Sequence, residues 1–130
     1  INILVQEGIK NITILGGGGG RLDHLYALFN LFERKIHPQR WITDSFVITA
    51  IKNKIILEGF SNCLISLFPV GNTTCCMESE GLKWSLKGLQ WNKGDMGVSN
   101  LVISDPAYIK MISGRLIMIH PLECRGIIRE

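Results

Sequence analysis

Residues 16–20 are five consecutive glycines, and they run directly into Arg21, Leu22, Asp23 and His24. Backbone N–H groups at a glycine turn between a strand and a helix point outward and attract anions, which makes Gly17, Gly18, Gly19 and Gly20 candidate phosphate binders. Arg21 can fork onto a phosphate, Asp23 can hold a Mg²⁺ ion or its water, and His24 adds an imidazole at the same helix start. The stretch is not a Walker A loop, because no Lys-Ser or Lys-Thr follows, and it does not match G-x-G-x-x-G with the helix correctly placed. Taken alone, the glycines read as a flexible turn and Asp23 as a first-turn acid favoured by the helix dipole. Three polar groups together after the turn carry the chemical reading.

Two downstream stretches also set a glycine beside groups that stack or hydrogen-bond. They are Gly81-Leu82-Lys83-Trp84-Ser85-Leu86 and Gly97-Val98-Ser99-Asn100. Trp84 reads equally as a core residue or as a platform for a flat ligand. Asn100 reads as a ligand contact or as a turn cap. Trp41 heads a strand and Trp91 sits in a loop.

Something must position these groups. Ile1, Leu4 and Val5 have helical spacing and Gly8 follows as a stop, so the first residues read as the last turns of a helix whose start lies upstream. Residues 9–15 read as a buried strand. Leu22, Leu25, Leu28, Phe29 and Phe32 recur at three and four residues, which predicts a helix ending before Pro38, and residues 41–43 read as a strand after it. Strand, turn, helix, strand is one crossover unit of a parallel sheet. Beyond Asp44 only strand-like runs follow: 46–51, 55–57, 63–68, 75–80, 101–104, 108–112 and 115–119. Antiparallel pairing in a sandwich of about seven to nine strands is the simplest account. Lys52-Asn53-Lys54 and Ser113-Gly114 have hairpin-turn lengths. The chain is therefore α/β followed by all-β, with residues 1–45 forming one unit and 46–130 the other.

The 130 residues are 46% hydrophobic and 19% charged, with a mean hydropathy of +0.22, which excludes intrinsic disorder. A net charge of +3, with cations scattered singly, argues against nucleic acid as a partner. No apolar run approaches the roughly 20 residues that cross a bilayer, so no membrane partner is expected. Cys63, Cys75, Cys76 and Cys124 show no C-x-x-C spacing; they fit neither a disulfide framework nor a zinc site and read as reduced cytoplasmic thiols. Cys75 and Cys76 fall in a strand.

The ordered set GGGGGRLDH, SLFPVG, GLKWSL, VSN and a final hairpin ending in GRLIMIH resembles the thiamine pyrophosphokinase family over nearly the whole chain. The resemblance implies a doubly wound α/β domain, here truncated, before an antiparallel β-sandwich. It also implies a homodimer and transfer of pyrophosphate from ATP to the thiamine hydroxyl with Mg²⁺, releasing AMP. On that footing Arg21 and Asp23 are catalytic, and Gly17 to Gly20, Arg21 and His24 bind the nucleotide. Trp84, Ser99 and Asn100 bind thiamine, and Asp23 is a metal ligand. The family's acidic motifs, of the G-D-x-D-S and T-D-x-E-K kinds, are not in these residues. The main metal ligands are thus expected upstream of Ile1, and the 130 residues alone are expected to be inactive. Two alternatives stand beside this: a non-catalytic thiamine-binding or dimerisation module, and a pyrophosphokinase for a pterin alcohol. Trp84 with Ser99 and Asn100 favours thiamine over pterin.

Overall fold

The computed structural model describes all residues, 1–130. Helix α1 (Asn2–Gln6) stops at Gly8, whose φ of +85° lets Gly8 N–H reach the Val5 carbonyl and Ile9 N–H the Leu4 carbonyl, each at 3.0 Å. Strand β1 (Thr13–Leu15) is shorter than the run 9–15 suggested. After the glycines come α2 (Leu22–Asn30) and a 3₁₀ turn over Leu31–Glu33, then β2 (Arg40–Ile42), which pairs with β1 in parallel, Ile14 opposite Trp41.

Nine strands follow: β3 (Phe46–Ile51), β4 (Lys54–Glu58), β5 (Leu64–Val70), β6 (Cys75–Glu80), β7 (Gln90–Trp91), β8 (Gly97–Leu101), β9 (Ala107–Ser113), β10 (Arg115–Pro121) and β11 (Ile127–Arg129). Every pairing among them is antiparallel, in two sheets. One sheet has the order β1-β2-β3-β10-β5-β8 and the other β11-β4-β9-β6-β7. The protein is therefore mostly β, and β2 pairs with β3 so that the first sheet runs without a break past residue 45.

The short connections do not make hairpins. Residues 52–53 lead from β3 in one sheet to β4 in the other, and Gly114 leads from β9 to β10, again between sheets. Turn length alone does not separate a hairpin from a corner. Here both flanking strands must bury one face against the opposite sheet, and the chain satisfies both by stepping across. Strand β8 lies earlier than the run 101–104 suggested, so it carries Ser99 and Asn100, and Trp91 lies in a strand rather than a loop.

The larger core fills the space between the sheets. Ile51, Ile65, Leu67, Leu116 and Met118 from the first meet Ile55, Leu57, Met77, Ile109 and Met111 from the second. A smaller core lies on the outer face of the first sheet, where Phe32 and Trp41 pack with Ile48, Val70 and Ile117 beneath α2. Phe29 meets the Trp41 ring edge-on at 5.1 Å. Removing a fully buried ring such as Phe32 costs about 3 to 5 kcal/mol.

Cys63 and Cys124 form a disulfide, which corrects the reading of four reduced thiols. Sixty-one residues separate them, so no local spacing announces the pair. Antiparallel pairing of β5 with β10 brings the start of one beside the end of the other, and the two cysteines flank those ends. Cys75 and Cys76 are free and lie in β6, as expected of strand thiols. No helix is long and apolar enough to cross a membrane.

His120 is buried at 4% exposure against the edge of Phe60, with Nδ1 2.8 Å from the Pro121 carbonyl and Nε2 without a partner. Burial holds its pKa below the ordinary histidine value, and half-buried His37 is lowered by the same cause. A depressed folded pKa means that the unfolded chain takes up the proton first as pH falls. Stability is therefore expected to be level above about pH 7 and to drop below about pH 6.5. Melting curves from pH 8 to pH 5 check this, and His120→Leu should make the drop shallower.

Candidate functional site

The first three glycines are demanded by their surroundings. Gly16 and Gly17 have φ of +80° and +74°, and a Cβ on Gly17 would lie 2.6 Å from Leu28 Cδ1. The buried Trp41 indole donates to the Gly16 carbonyl at 2.6 Å, and Gly16 N–H donates to the Ile42 carbonyl at 2.8 Å, which pins the turn to the carboxyl end of β2. A Cβ on Gly18 would lie 2.7 Å from Thr43 Cβ and 3.3 Å from Asp44 Oδ1. Gly19 and Gly20 have open space around them. The turn is thus packed at its root and open at its tip, where a phosphate would meet it.

Arg21 is the N-cap of α2 and makes no side-chain capping bond. Its guanidinium instead grips Asp23 through two bonds, Nη2 to Oδ2 at 2.6 Å and Nε to Oδ1 at 3.2 Å, while Asp23 Oδ1 also accepts the His24 N–H at 3.0 Å. Arg21 and then the His24 N–H hold the Asp23 carboxyl below the usual carboxylate range. Both side chains are about two-thirds exposed, at 68% and 64%. The pair lies open to water, which screens it, so an incoming phosphate can take Arg21 from Asp23 at little cost. His24 is exposed at the same helix start.

Asp44 is the residue that sequence spacing left isolated. It follows β2 directly and stands beside Gly18, next to a cavity of about 330 Å³ between α2 and the ends of β2 and β3. The signal available was its position just past a strand of a parallel pair, where α/β sheets bind ligands. No three His, Cys, Asp or Glu side chains gather into a metal-holding group anywhere in the chain. Asp23 is already engaged, so these residues do not by themselves fit a magnesium site.

The second group of residues forms one unit on β8. The bridge from Leu82 to Val102 and the bond from Lys83 N–H to the Leu101 carbonyl, at 2.8 Å, lay residues 82–84 antiparallel to the end of β8. Asn100, 5% exposed, then replaces the ladder with its side chain. Its Nδ2 donates to the Trp84 carbonyl at 2.8 Å and its Oδ1 accepts the Trp84 N–H at 3.2 Å. Asn100 is therefore a buried clamp on the Trp84 backbone rather than a turn cap. Trp84 is 56% exposed, so it is not a core residue, and Lys83 Nζ sits 4.8 Å from the centre of its ring. Ser99 has a φ of +58° and donates its N–H to Ser66 Oγ at 3.0 Å, at an irregularity in the β5–β8 register.

The two groups do not meet within one chain. The glycine turn follows β1 at one edge of the first sheet and Trp84 adjoins β8 at the other. Five strand spacings of about 4.8 Å separate those edges, about 24 Å in all.

Comparison with known proteins bears on both ends. The family model described as "Thiamin pyrophosphokinase, vitamin B1 binding domain" matches residues 52–116, half of the chain. No curated protein matches the sequence. Among solved structures, the thiamine pyrophosphokinase of Bacillus subtilis superposes with a TM-score of 0.70 at 23% identity, over 92% of this chain and 59% of that one. Thiamin pyrophosphokinase from Candida albicans gives 0.66 at 21% identity, over 92% and 49%. The yeast enzyme gives 0.57 at 25% identity, over 85% and 39%. The chain thus spans about 59% of the length of the Bacillus subtilis protein. With the domain match covering half of its residues and these folds superposing on nearly all of them, the chain belongs to the thiamine pyrophosphokinase family.

Proposed function

We propose that this chain takes part in transferring pyrophosphate from ATP to thiamine, giving thiamine diphosphate and AMP. The observation that carries the reading is Trp84, an exposed indole whose backbone is clamped by both amide atoms of a buried asparagine. A large aromatic ring open to solvent on a fixed stretch of backbone suits the flat pyrimidine and cationic thiazolium of thiamine. Residues 46–130 would hold thiamine through Trp84, Ser99 and Asn100. Residues 1–45 would hold ATP through Gly17 to Gly20, Arg21 and His24.

In the reaction the thiamine hydroxyl oxygen bonds to the β-phosphorus, the bond from that phosphorus to the α-phosphate oxygen breaks, and the hydroxyl proton passes to solvent. Phosphoryl transfer leaves the protein mainly positioning and charge stabilisation. Arg21, released from Asp23, supplies positive charge to the phosphates, and Asp23 is freed to orient the nucleophile. Magnesium, the ion the family implies, would need further carboxylates than these residues supply.

The distance of about 24 Å between the glycine turn and Trp84 supports a homodimer in which each copy completes the other's site. An ATP donor and the free Cys75 and Cys76 support a cytoplasmic location, while the Cys63–Cys124 bond is of a kind commoner in oxidising compartments.

Stacking on an aromatic side chain is worth about 1 to 3 kcal/mol. Trp84→Ala should therefore weaken thiamine binding by roughly 5- to 150-fold, with Trp84→Phe recovering part, and neither change should lower the melting temperature much. Thiamine titrations and melts on both variants check this; normal thiamine binding by folded Trp84→Ala removes the stacking role. Residues 1–130 alone should release no AMP from ATP, thiamine and Mg²⁺, and robust release would place a complete metal site within them. Light scattering at micromolar concentration should give twice the 14.6 kDa chain mass, and a monomer would count against the shared site.

A further inference from the structure

Three of the corners that carry the chain between sheets lie at one end of the first sheet, remote from the glycine turn. They are residues 52–53 after β3, residues 71–74 after β5 and Gly114 before β10. Strand β3 runs from the glycine-turn end to this one over six residues, about 20 Å. The segment after the 3₁₀ turn comes to the same place and closes a cavity of about 360 Å³ lined by eight polar or glycine residues and Val70. Three of its side chains are cationic: Lys35, Lys52 and Arg115. A neighbouring cavity of about 510 Å³ shares Lys35 and Lys52 and adds Lys54 and His37.

The acids here are Glu33 and Glu130, and Glu33 is already occupied. Its Oε2 accepts the Gly71 N–H at 2.7 Å and lies 3.7 Å from Lys93 Nζ. Arg115 is oriented by two carbonyls, with Nη2 donating to Phe32 at 2.6 Å and Arg34 at 3.1 Å, and its buried Nε has no acceptor at all. A buried guanidinium donor without an acceptor is rare and marks a place where an anion or water belongs. Lys35 and Lys52 are exposed and make no ion pair. Lys54 is turned away over the Tyr108 ring at 4.5 Å. The positive field is also felt by half-buried His37, whose pKa is lowered first by burial and then by Arg115 and Lys52.

We propose that this corner cavity is a second anion site, in which Lys35, Lys52 and Arg115 bind a multiply charged phosphorus oxyanion, either free diphosphate or the diphosphate end of an ester. Arg115, held in place by two carbonyls, provides fixed charge and the lysines provide mobile charge, the division of labour expected of the two side chains. Gly71, Asn72 and Thr73 of the corner after β5 complete the polar wall. The site lies apart from the glycine turn and does not depend on the reaction proposed above.

Calorimetric titration of the 130-residue chain with sodium diphosphate at fixed ionic strength, without Mg²⁺, tests this. Binding should weaken at least about tenfold in the double variant Lys35→Gln, Lys52→Gln. Both lysines are exposed, so melts of the double variant should match the parent chain. In the parent chain, amide resonances of Gly71, Asn72 and Gly114 should move on titration, which keeps the test independent of any variant's folding. Equal affinity in the double variant, or amide shifts confined to residues 16–24, would each overturn the proposal. Comparison of diphosphate with ADP separates the two sources: similar affinity assigns the site to the diphosphate group alone, and failure of both to bind ends it.

Discussion

Strand β10 is buried on both faces, and the two cores meet through it. Leu116 and Met118 point between the sheets, while Ile117 points outward into the cluster under α2. The strand lies between β3 and β5 and is paired along most of its length with both. It is also the bond between the two candidate ends of the molecule, since β3 leads back to β2 and the glycine turn while β5 leads on to β8 and Asn100. A buried charge placed at Ile117 or Met118 would disturb both ends at once, because adjacent residues of this strand enter opposite cores.

That double burial explains what the sequence does and does not disclose. A strand covered on both faces reads as an apolar run, which makes 115–119 and 46–51 recognisable, the second with the bounds of β3; 75–80, with the bounds of β6, buries one face only and alternates. What a run cannot disclose is which sheet it joins. Residues 52–53 and Gly114 have the lengths of hairpin turns, and only the need of both flanking strands to face the opposite sheet makes them corners. The Cys63–Cys124 pair was illegible for the same reason, being a consequence of the pairing of β5 with β10 and not of any spacing.

The candidate sites divide in a similar way. Local chemistry was legible: Arg21, Asp23 and His24 do cluster at one helix start, and Asn100 and Trp84 do touch. The roles within each cluster were not. Composition leaves Trp84 balanced between core and platform, and the balance is decided by its neighbours Leu82 and Leu86, which take the places in the core and leave the indole outside. Asp44 escaped notice because its neighbour is Gly18, distant in sequence and reached only through the parallel pairing of β1 with β2.

The two ends also differ in how firmly they are held, and the difference follows from burial. The Trp84 backbone is fixed by the two hydrogen bonds of a buried amide, so the main chain that carries the indole keeps its place whether or not a ligand is present. The Arg21 guanidinium is held only by Asp23, through an ion pair that lies in water and is screened by it. A stacking platform gains from being rigid, because a ring ordered beforehand costs a ligand no side-chain entropy. A phosphate-binding arginine gains from the opposite, because it must leave one carboxylate for another anion and return. The chain thus places its fixed element behind β8, where the sheet edge supports it, and its exchangeable element at a helix start, where solvent keeps the exchange inexpensive.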